Sequence, residues 1–369
     1  MIPYVNLSMK NTDIKYRVLK KIDKVLDSGI FILGEEVKTF EERFARYIGS
    51  NYAIGVNSGT DALILALKVF GIGNGDEVIT APNSFLATAS SIVLSGAKPV
   101  FVDVDSDQNI NVSLIEEKIS KRTKAIIPVH LTGRPADMHA ILKIANKYNL
   151  IVIEDCAQAI NAKIKNKKVG TFGQIGCFSL HPLKNLGASG DAGIIVTNDQ
   201  QIYEYIKQLR NHGLKNRDEC VEWSINSRLD EIQAAILNVK FDYLDQWTER
   251  RREIANMYIN GLKGLPIKLP VEKENTQSVY HAFVIQTKYR DQLMNYLSKR
   301  GIETKIHYPI PIHKQQAALK SNLSIDIFPQ SEKQVKEILS LPIYPELRDA
   351  DVNEVIKTIR NFFKEERVF

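Results

Sequence analysis

Lys184 sits in the run His181-Pro-Leu-Lys-Asn-Leu-Gly-Ala-Ser-Gly-Asp-Ala-Gly193, shortly after an apolar stretch ending at Phe178-Ser179. Upstream, Leu150-Ile-Val-Ile-Glu-Asp155 reads as a buried strand that ends in a carboxylate. A lysine amine can form a Schiff base with an aldehyde. An aspartate can hold a pyridine nitrogen protonated, so that the ring accepts electrons. Together they are what pyridoxal phosphate (PLP) chemistry requires. Each residue alone has a plainer reading, the lysine as a surface side chain and the aspartate as a helix cap. A phosphate-binding P-loop does not fit, because there the lysine follows the glycines and precedes Ser or Thr. The three glycines after Lys184 are expected to leave little bulk beside its amine.

Other residues could complete a site. Ser58-Gly59-Thr60 opens a helix, where free N–H groups and the helix dipole favour a phosphate, or where Ser58 or Thr60 is simply an N-cap. Phe85 follows a strand and either stacks on a flat cofactor or belongs to the core. His307 and His313 flank Tyr308-Pro-Ile-Pro311, a stiff loop with polar tips that suits a substrate-facing role. The seven histidines and three cysteines show no metal-ligand spacing and no CxxC, so no metal is expected.

Positioning these groups requires strands that end near one another. From residue 52, short apolar runs alternate with helical stretches. Strands are expected at 52–56, 77–80, 99–103, 124–129, 150–155, 176–180 and 193–197. Helices are expected at 60–70, 85–94 and 136–148, with Ser113 to Glu116 as a capping box opening another. Glu41 to Ile48 reads as a helix closed by Gly49, and Gly71 to Gly75 as a turn. The strand runs are apolar on both faces. This predicts an α/β fold with a mostly parallel sheet flanked by helices, its ligand beyond the carboxyl ends of the strands. Residues 229–262 read as one long helical stretch. The remainder reads as strand 282–287, helix 290–300, strand 305–308, helix 332–339 and helix 350–366. We expect a large domain over 1–250, including an N-terminal arm, and a small C-terminal α+β domain over 251–369.

The 369 residues are 44% hydrophobic and 25% charged, ordinary values for a chain with ample core. Lys and Arg outnumber Asp and Glu by 49 to 43. That excess is a solvated lysine-rich surface with no aromatic-interleaved basic run, so nucleic acid is not an expected partner. The first residues lack an apolar signal core and no run approaches a membrane span, so a cytoplasmic protein without membrane contact is expected.

Taken together, Ser58-Gly-Thr-Asp-Ala62, Ala81-Pro-Asn-Ser-Phe-Leu-Ala-Thr88, Pro128-Val-His-Leu-Thr-Gly133, Ile153-Glu-Asp-Cys-Ala-Gln158, Lys184-Asn-Leu-Gly187 with Gly190-Asp-Ala-Gly193, and Asn226-Ser-Arg-Leu-Asp-Glu-Ile-Gln-Ala-Ala235 occur in order. This set resembles the DegT/DnrJ/EryC1/StrS sugar aminotransferases, which have the PLP-dependent transferase fold type I. The resemblance implies that Lys184 is the Schiff-base lysine and Asp155 the partner of the pyridine nitrogen. It implies that Gln158 bonds the ring hydroxyl, that Phe85 stacks on the ring, and that Gly59, Thr60 and Ser179 hold the phosphate. Asn226 would reach the phosphate of a neighbouring subunit in a homodimer with shared sites, and Arg228 would bind the donor's carboxylate. The implied reaction moves an amino group from L-glutamate to a nucleotide-linked 3-keto or 4-keto deoxysugar. Relatives that dehydrate the sugar carry histidine at the lysine position, and others were noticed as regulators. Two stretches depart from the family pattern, Lys314-Gln-Gln-Ala317 and Ala159-Ile-Asn161, and both bear on substrate identity.

Overall fold

The computed structural model describes every residue except 10, 11, 322, 324, 325 and 366–369. Two helices, α1 (Asp13–Ser28) and α2 (Glu35–Ile48), precede a seven-stranded sheet. Its strands are β1 (Tyr52–Val56), β2 (Glu77–Thr80), β3 (Lys98–Phe101), β4 (Thr123–Ile126), β5 (Ile151–Asp155), β8 (Ile175–Ser179) and β9 (Gly193–Thr197). Their spatial order is β1-β9-β8-β5-β4-β2-β3. The pairs from β8 to β3 are parallel, whereas β9 runs antiparallel to both β8 and β1. Every residue of β2, β8 and β9 is buried, as expected for strands covered on both faces. The cover comes from α3 (Gly59–Val69), α4 (Leu86–Leu94) and α6 (Gln200–Leu209) on one face, and from α2, α5 (Met138–Tyr148) and α7 (Glu231–Phe241) on the other. Two-residue strands β6 (Lys163–Ile164), β7 (Lys167–Lys168) and β10 (Thr276–Gln277) form a small separate sheet.

Helix α8 (Leu244–Leu262) leads to a second core. There β11 (Phe283–Gln286) pairs antiparallel with β12 (Ile338–Leu341), covered by α9 (Arg290–Lys299) and α12 (Asp349–Glu365). Short α10 (Gln316–Lys320) and α11 (Pro329–Glu337) lie between α9 and β12. Ile2 packs into this second core, so the start of the chain sits against its C-terminal part. Residues 250 and 251 both fall inside α8.

Several expected elements differ. Ser113 to Glu116 does not open an α-helix, and two single 3-10 turns stand there. Asn111 Oδ1 accepts from both the amide and the hydroxyl of Ser113, the groups a capping box would have used. Residues 305–308 are not a strand. Lys305 makes one bridge to Ser340, and the His307 ring turns to the Ser340 hydroxyl. The helix expected at 332–339 starts earlier, with Pro329 in its first turn, and gives way at Ile338 to β12, which β11 captures. The 229–262 stretch is broken at Asp242-Tyr243, where the Asp242 carboxylate accepts from Arg17 and Arg43. Helix α2 begins at Glu35 instead of Glu41, because Glu231 accepts the amides of Glu36 and Val37. Glu366, the expected end of the last helix, lies outside the described residues.

Candidate active site

Strand β5 delivers Asp155 to the carboxyl edge of the sheet, β1 leads into the Ser58-Gly59-Thr60 turn, and β8 ends at Ser179. These ends open on a cleft of about 280 Å³. Gly59, Thr60, Phe85, Asp155, Gln158, Ser179, Lys184, His307 and Tyr308 all line it.

The end of the cleft beside α3 is built from backbone. Ser58 caps α3, its Oγ accepting the Asp61 amide at 3.0 Å. First-turn amides of a helix have no intrahelical partner, so the Gly59 and Thr60 N–H groups are placed to bind an anion at the cleft wall. A Cβ on Gly59 would stand 2.7 Å from that of Ser179, so only glycine lets the turn lie against β8. The glycines after Lys184 differ from expectation, because Gly187 and Gly193 make room for backbone and Gly190 for a side chain, instead of for the amine. A Cβ at Gly193 would meet the Ser58 carbonyl oxygen at 2.3 Å, and Gly187 and Gly190 back onto Pro182 and Gln233.

At the other end, Asp155 is buried, with Oδ2 accepting from the Thr88 hydroxyl at 2.8 Å and Oδ1 from the Ala157 amide at 3.1 Å. Burial raises its pKa, while those two hydrogen bonds and the charge of Lys184 oppose the rise. Lys184 answers in kind. Burial lowers its amine to about 8, and the Asp155 charge acts in the opposite direction. The two groups therefore share one cleft and feel each other's charge.

Phe85 precedes α4 and keeps 53% of its surface exposed, which removes the core reading. Its ring tilts against Tyr308 with centroids 5.5 Å apart. Gln158 Oε1 accepts the Thr132 amide at 2.6 Å, and its Nε2 donates to the Tyr308 hydroxyl at 2.9 Å. Burial, and then the Asp155 charge, push the Tyr308 phenol up. Burial and the Lys184 charge bring His307 down to about 4, so its ring is neutral.

Three expected residues do not join this cleft in the single chain. Asn226 is exposed and bridges to Asn211, and Arg228 donates to the Asn211 side chain at 3.0 Å. Between them Ser227 is buried and donates to Asp61, tying the segment to the first turn of α3. His313 is buried elsewhere, 3.2 Å from Glu332 and edge-on to Phe328.

Sequence reasoning also missed residues. His281 lines the cleft and is held neutral by burial and by the Lys184 charge. The only signal for it was its place at the entry to β11. Below the cleft, Glu154 is fully buried and accepts the amides of Gly170, Phe172 and Gly173 and the His130 ring. His130 Nδ1 accepts the Ala136 amide, so its Nε2 carries the proton that faces Glu154. Glu154, His130 and Cys156 have the proximity of a metal site. These hydrogen bonds already engage the carboxylate and the imidazole.

The donor set fits PLP. It offers an amine of lowered pKa, an opposed buried carboxylate, an exposed aromatic face and a helix N-terminus cleared of side-chain bulk. Known proteins agree. A family model described as the DegT/DnrJ/EryC1/StrS aminotransferase family matches residues 12–360. A dTDP-3-amino-3,6-dideoxy-alpha-D-galactopyranose transaminase of Aneurinibacillus thermoaerophilus is 45% identical, covering 98% of this chain and 99% of that protein. A pleiotropic regulatory protein of Geobacillus stearothermophilus is 43% identical over 98% and 99%. The crystal structure of Streptomyces venezuelae DesV, in complex with a ketimine intermediate, superposes with a TM-score of 0.95 at 40% identity, covering 98% of each chain. The chain belongs to the DegT/DnrJ/EryC1/StrS aminotransferase family.

Proposed function

We propose that the protein is a PLP-dependent aminotransferase that moves an amino group from L-glutamate to a nucleotide-linked keto-deoxysugar. The observation that carries this reading is the cleft that Lys184 and Asp155 both line, where the charge of each opposes the effect of burial on the other. When bound, PLP supplies an electron-accepting ring through which an amino group passes from one carbon skeleton to another.

The chain's own groups have separable roles. The Lys184 amine takes the proton from the donor's α-carbon, which requires its neutral form, and lowering its pKa from 10.5 to about 8 makes that form far more accessible near neutral pH. Asp155 keeps the ring nitrogen protonated through a charge-assisted hydrogen bond. Phe85 covers a ring face and Gln158 bonds the ring hydroxyl. Gly59, Thr60 and Ser179 hold the phosphate. His307 and Tyr308 face the sugar. Asn226 and Arg228, outside this protomer's own cleft, complete the site of a second subunit in a homodimer. The free cysteines suit the reducing cytosol in which such an enzyme would act.

The A. thermoaerophilus relative is named for a 3-amino sugar, which favours a 3-keto substrate. A lysine at position 184 favours amino transfer over dehydration. The G. stearothermophilus relative's name supports a regulatory reading, but a formed cleft with its amine and carboxylate favours catalysis. The test is to offer glutamate with a panel of nucleotide-linked 3-keto and 4-keto deoxysugars and detect aminated product by mass spectrometry. Product accompanied by equimolar 2-oxoglutarate is expected. A colourless protein that takes up no PLP and aminates none of the panel would refute the reading.

A further inference from the structure

The Asp155 carboxylate is held from behind by a hydroxyl relay. Thr88 lies in the first turn of α4 and is 1% exposed. A helical threonine usually turns its hydroxyl back to a carbonyl of the preceding turn. Here the hydroxyl reaches instead to Asp155 Oδ2, 67 positions along the chain. An ionised carboxylate only accepts, so Thr88 is the donor, and its oxygen is left to accept from Ser84 Oγ at 3.1 Å. Ser84 is itself buried, so the relay is dry. With the Ala157 amide on Oδ1, each carboxylate oxygen has one fixed donor, and the remaining lone pairs are available to the cleft.

We propose that Thr88, backed by Ser84, is a positioning residue for the aminotransferase reaction: its hydroxyl fixes the rotation of the Asp155 carboxylate and favours its charged form, so that one oxygen meets the ring nitrogen of PLP. The inference rests on the PLP reading above. The role has a physical basis: burial drives Asp155 toward its neutral form, which cannot hold a pyridinium, and the Thr88 hydrogen bond leads the interactions that oppose it. Threonine suits the task, since β-branching restricts its side-chain rotamer in a helix and so aims the hydroxyl.

The experiment compares the parent with Thr88→Val, which keeps the shape without the hydroxyl, and Thr88→Ser, which keeps the hydroxyl. Each is titrated with PLP, scanned for the pH midpoint of the bound cofactor's visible band, and assayed for kcat and KM separately. In T88V the PLP dissociation constant should rise about tenfold, as expected for losing a hydrogen bond to a charged group. Its band midpoint should move by at least about half a pH unit. Its kcat should fall about tenfold while KM for glutamate changes by less than about twofold. T88S should restore all three readouts. A T88V protein that matches the parent in PLP affinity and band midpoint overturns the proposal, as does a T88S protein impaired as much as T88V. If T88V does not fold, Thr88→Ala replaces it in the same comparison. A parent protein that takes up no PLP would refute the cofactor reading instead, so the two failures are distinguishable.

Discussion

Gln158 Nε2 donates to the Tyr308 hydroxyl at 2.9 Å, joining the turn after β5 to a loop 150 residues later. The contact spans the cleft and fixes the side chain assigned to the ring hydroxyl of PLP. Tyr308→Phe should release Gln158 while keeping the ring that packs on Phe85. Loss of one neutral hydrogen bond predicts a PLP dissociation constant raised by roughly three- to tenfold, measurable by fluorescence titration. An unchanged constant would mean that Tyr308 does not hold Gln158 in place.

The ionisation of Lys184 makes a pH prediction. Only a neutral amine attacks the cofactor's aldehyde. The amine is protonated below its pKa and free above it. With burial lowering that pKa to about 8, the rate of PLP uptake by cofactor-free protein should climb through about pH 8 and then level off. A climb centred near the ordinary lysine value of 10.5 would contradict the burial argument. Lys184→Ala should leave no chromophore that borohydride can fix to the chain.

Removing the charge of Asp155 should cost more than removing the Thr88 hydroxyl that supports it. Asp155→Asn keeps the size of the side chain and cannot favour a protonated ring nitrogen. We expect kcat to drop by at least about a hundredfold, the scale seen when a fixed electrostatic partner of a reacting centre is lost. Steady-state kinetics with glutamate and an accepted sugar would check it.

Gly59 offers a test of packing at the phosphate end. Gly59→Ala places a methyl 2.7 Å from the Ser179 Cβ. Such overpacking costs about 1–3 kcal/mol. The thermal midpoint should fall, and pairing G59A with Ser179→Gly should recover much of it. PLP affinity should stay low in the double variant, because Ser179 is itself assigned to the phosphate. Recovery of affinity together with stability would remove Ser179 from that role.

The legible parts of this chain were local. Asp155 ends one apolar run and Lys184 follows shortly after another, both of plain strand character, and the Ser58-Gly59-Thr60 turn carries its own cap. Phe85 was ambiguous because an aromatic after a strand serves core and cleft equally, and only its exposure decides. What escaped depended on distant partners. The start of α2 needs Glu231, 195 residues from Glu36. Ile338 and Leu339 fit a helix pattern until β11 pairs with them. His281 has no distinguishing spacing and reaches the cleft only because the segment before β11 is held by the Thr132-Gly133 turn and by Asn185. His313 shared a loop with His307, but Glu332 and Phe328 draw it into a separate pocket.

The antiparallel course of β9 restrains movement at the lysine. Ser179 and Gly193 are register partners, and Leu180 bonds Ala192 at one end while receiving the Ala188 amide inside the turn. The segment carrying Lys184 is thus a closed loop cinched at its neck by two neighbouring strands. It has no free hinge, and swinging it aside would unzip the sheet. The lysine's reach into the cleft is then a matter of its own side chain, since the backbone beneath it is anchored by paired strands.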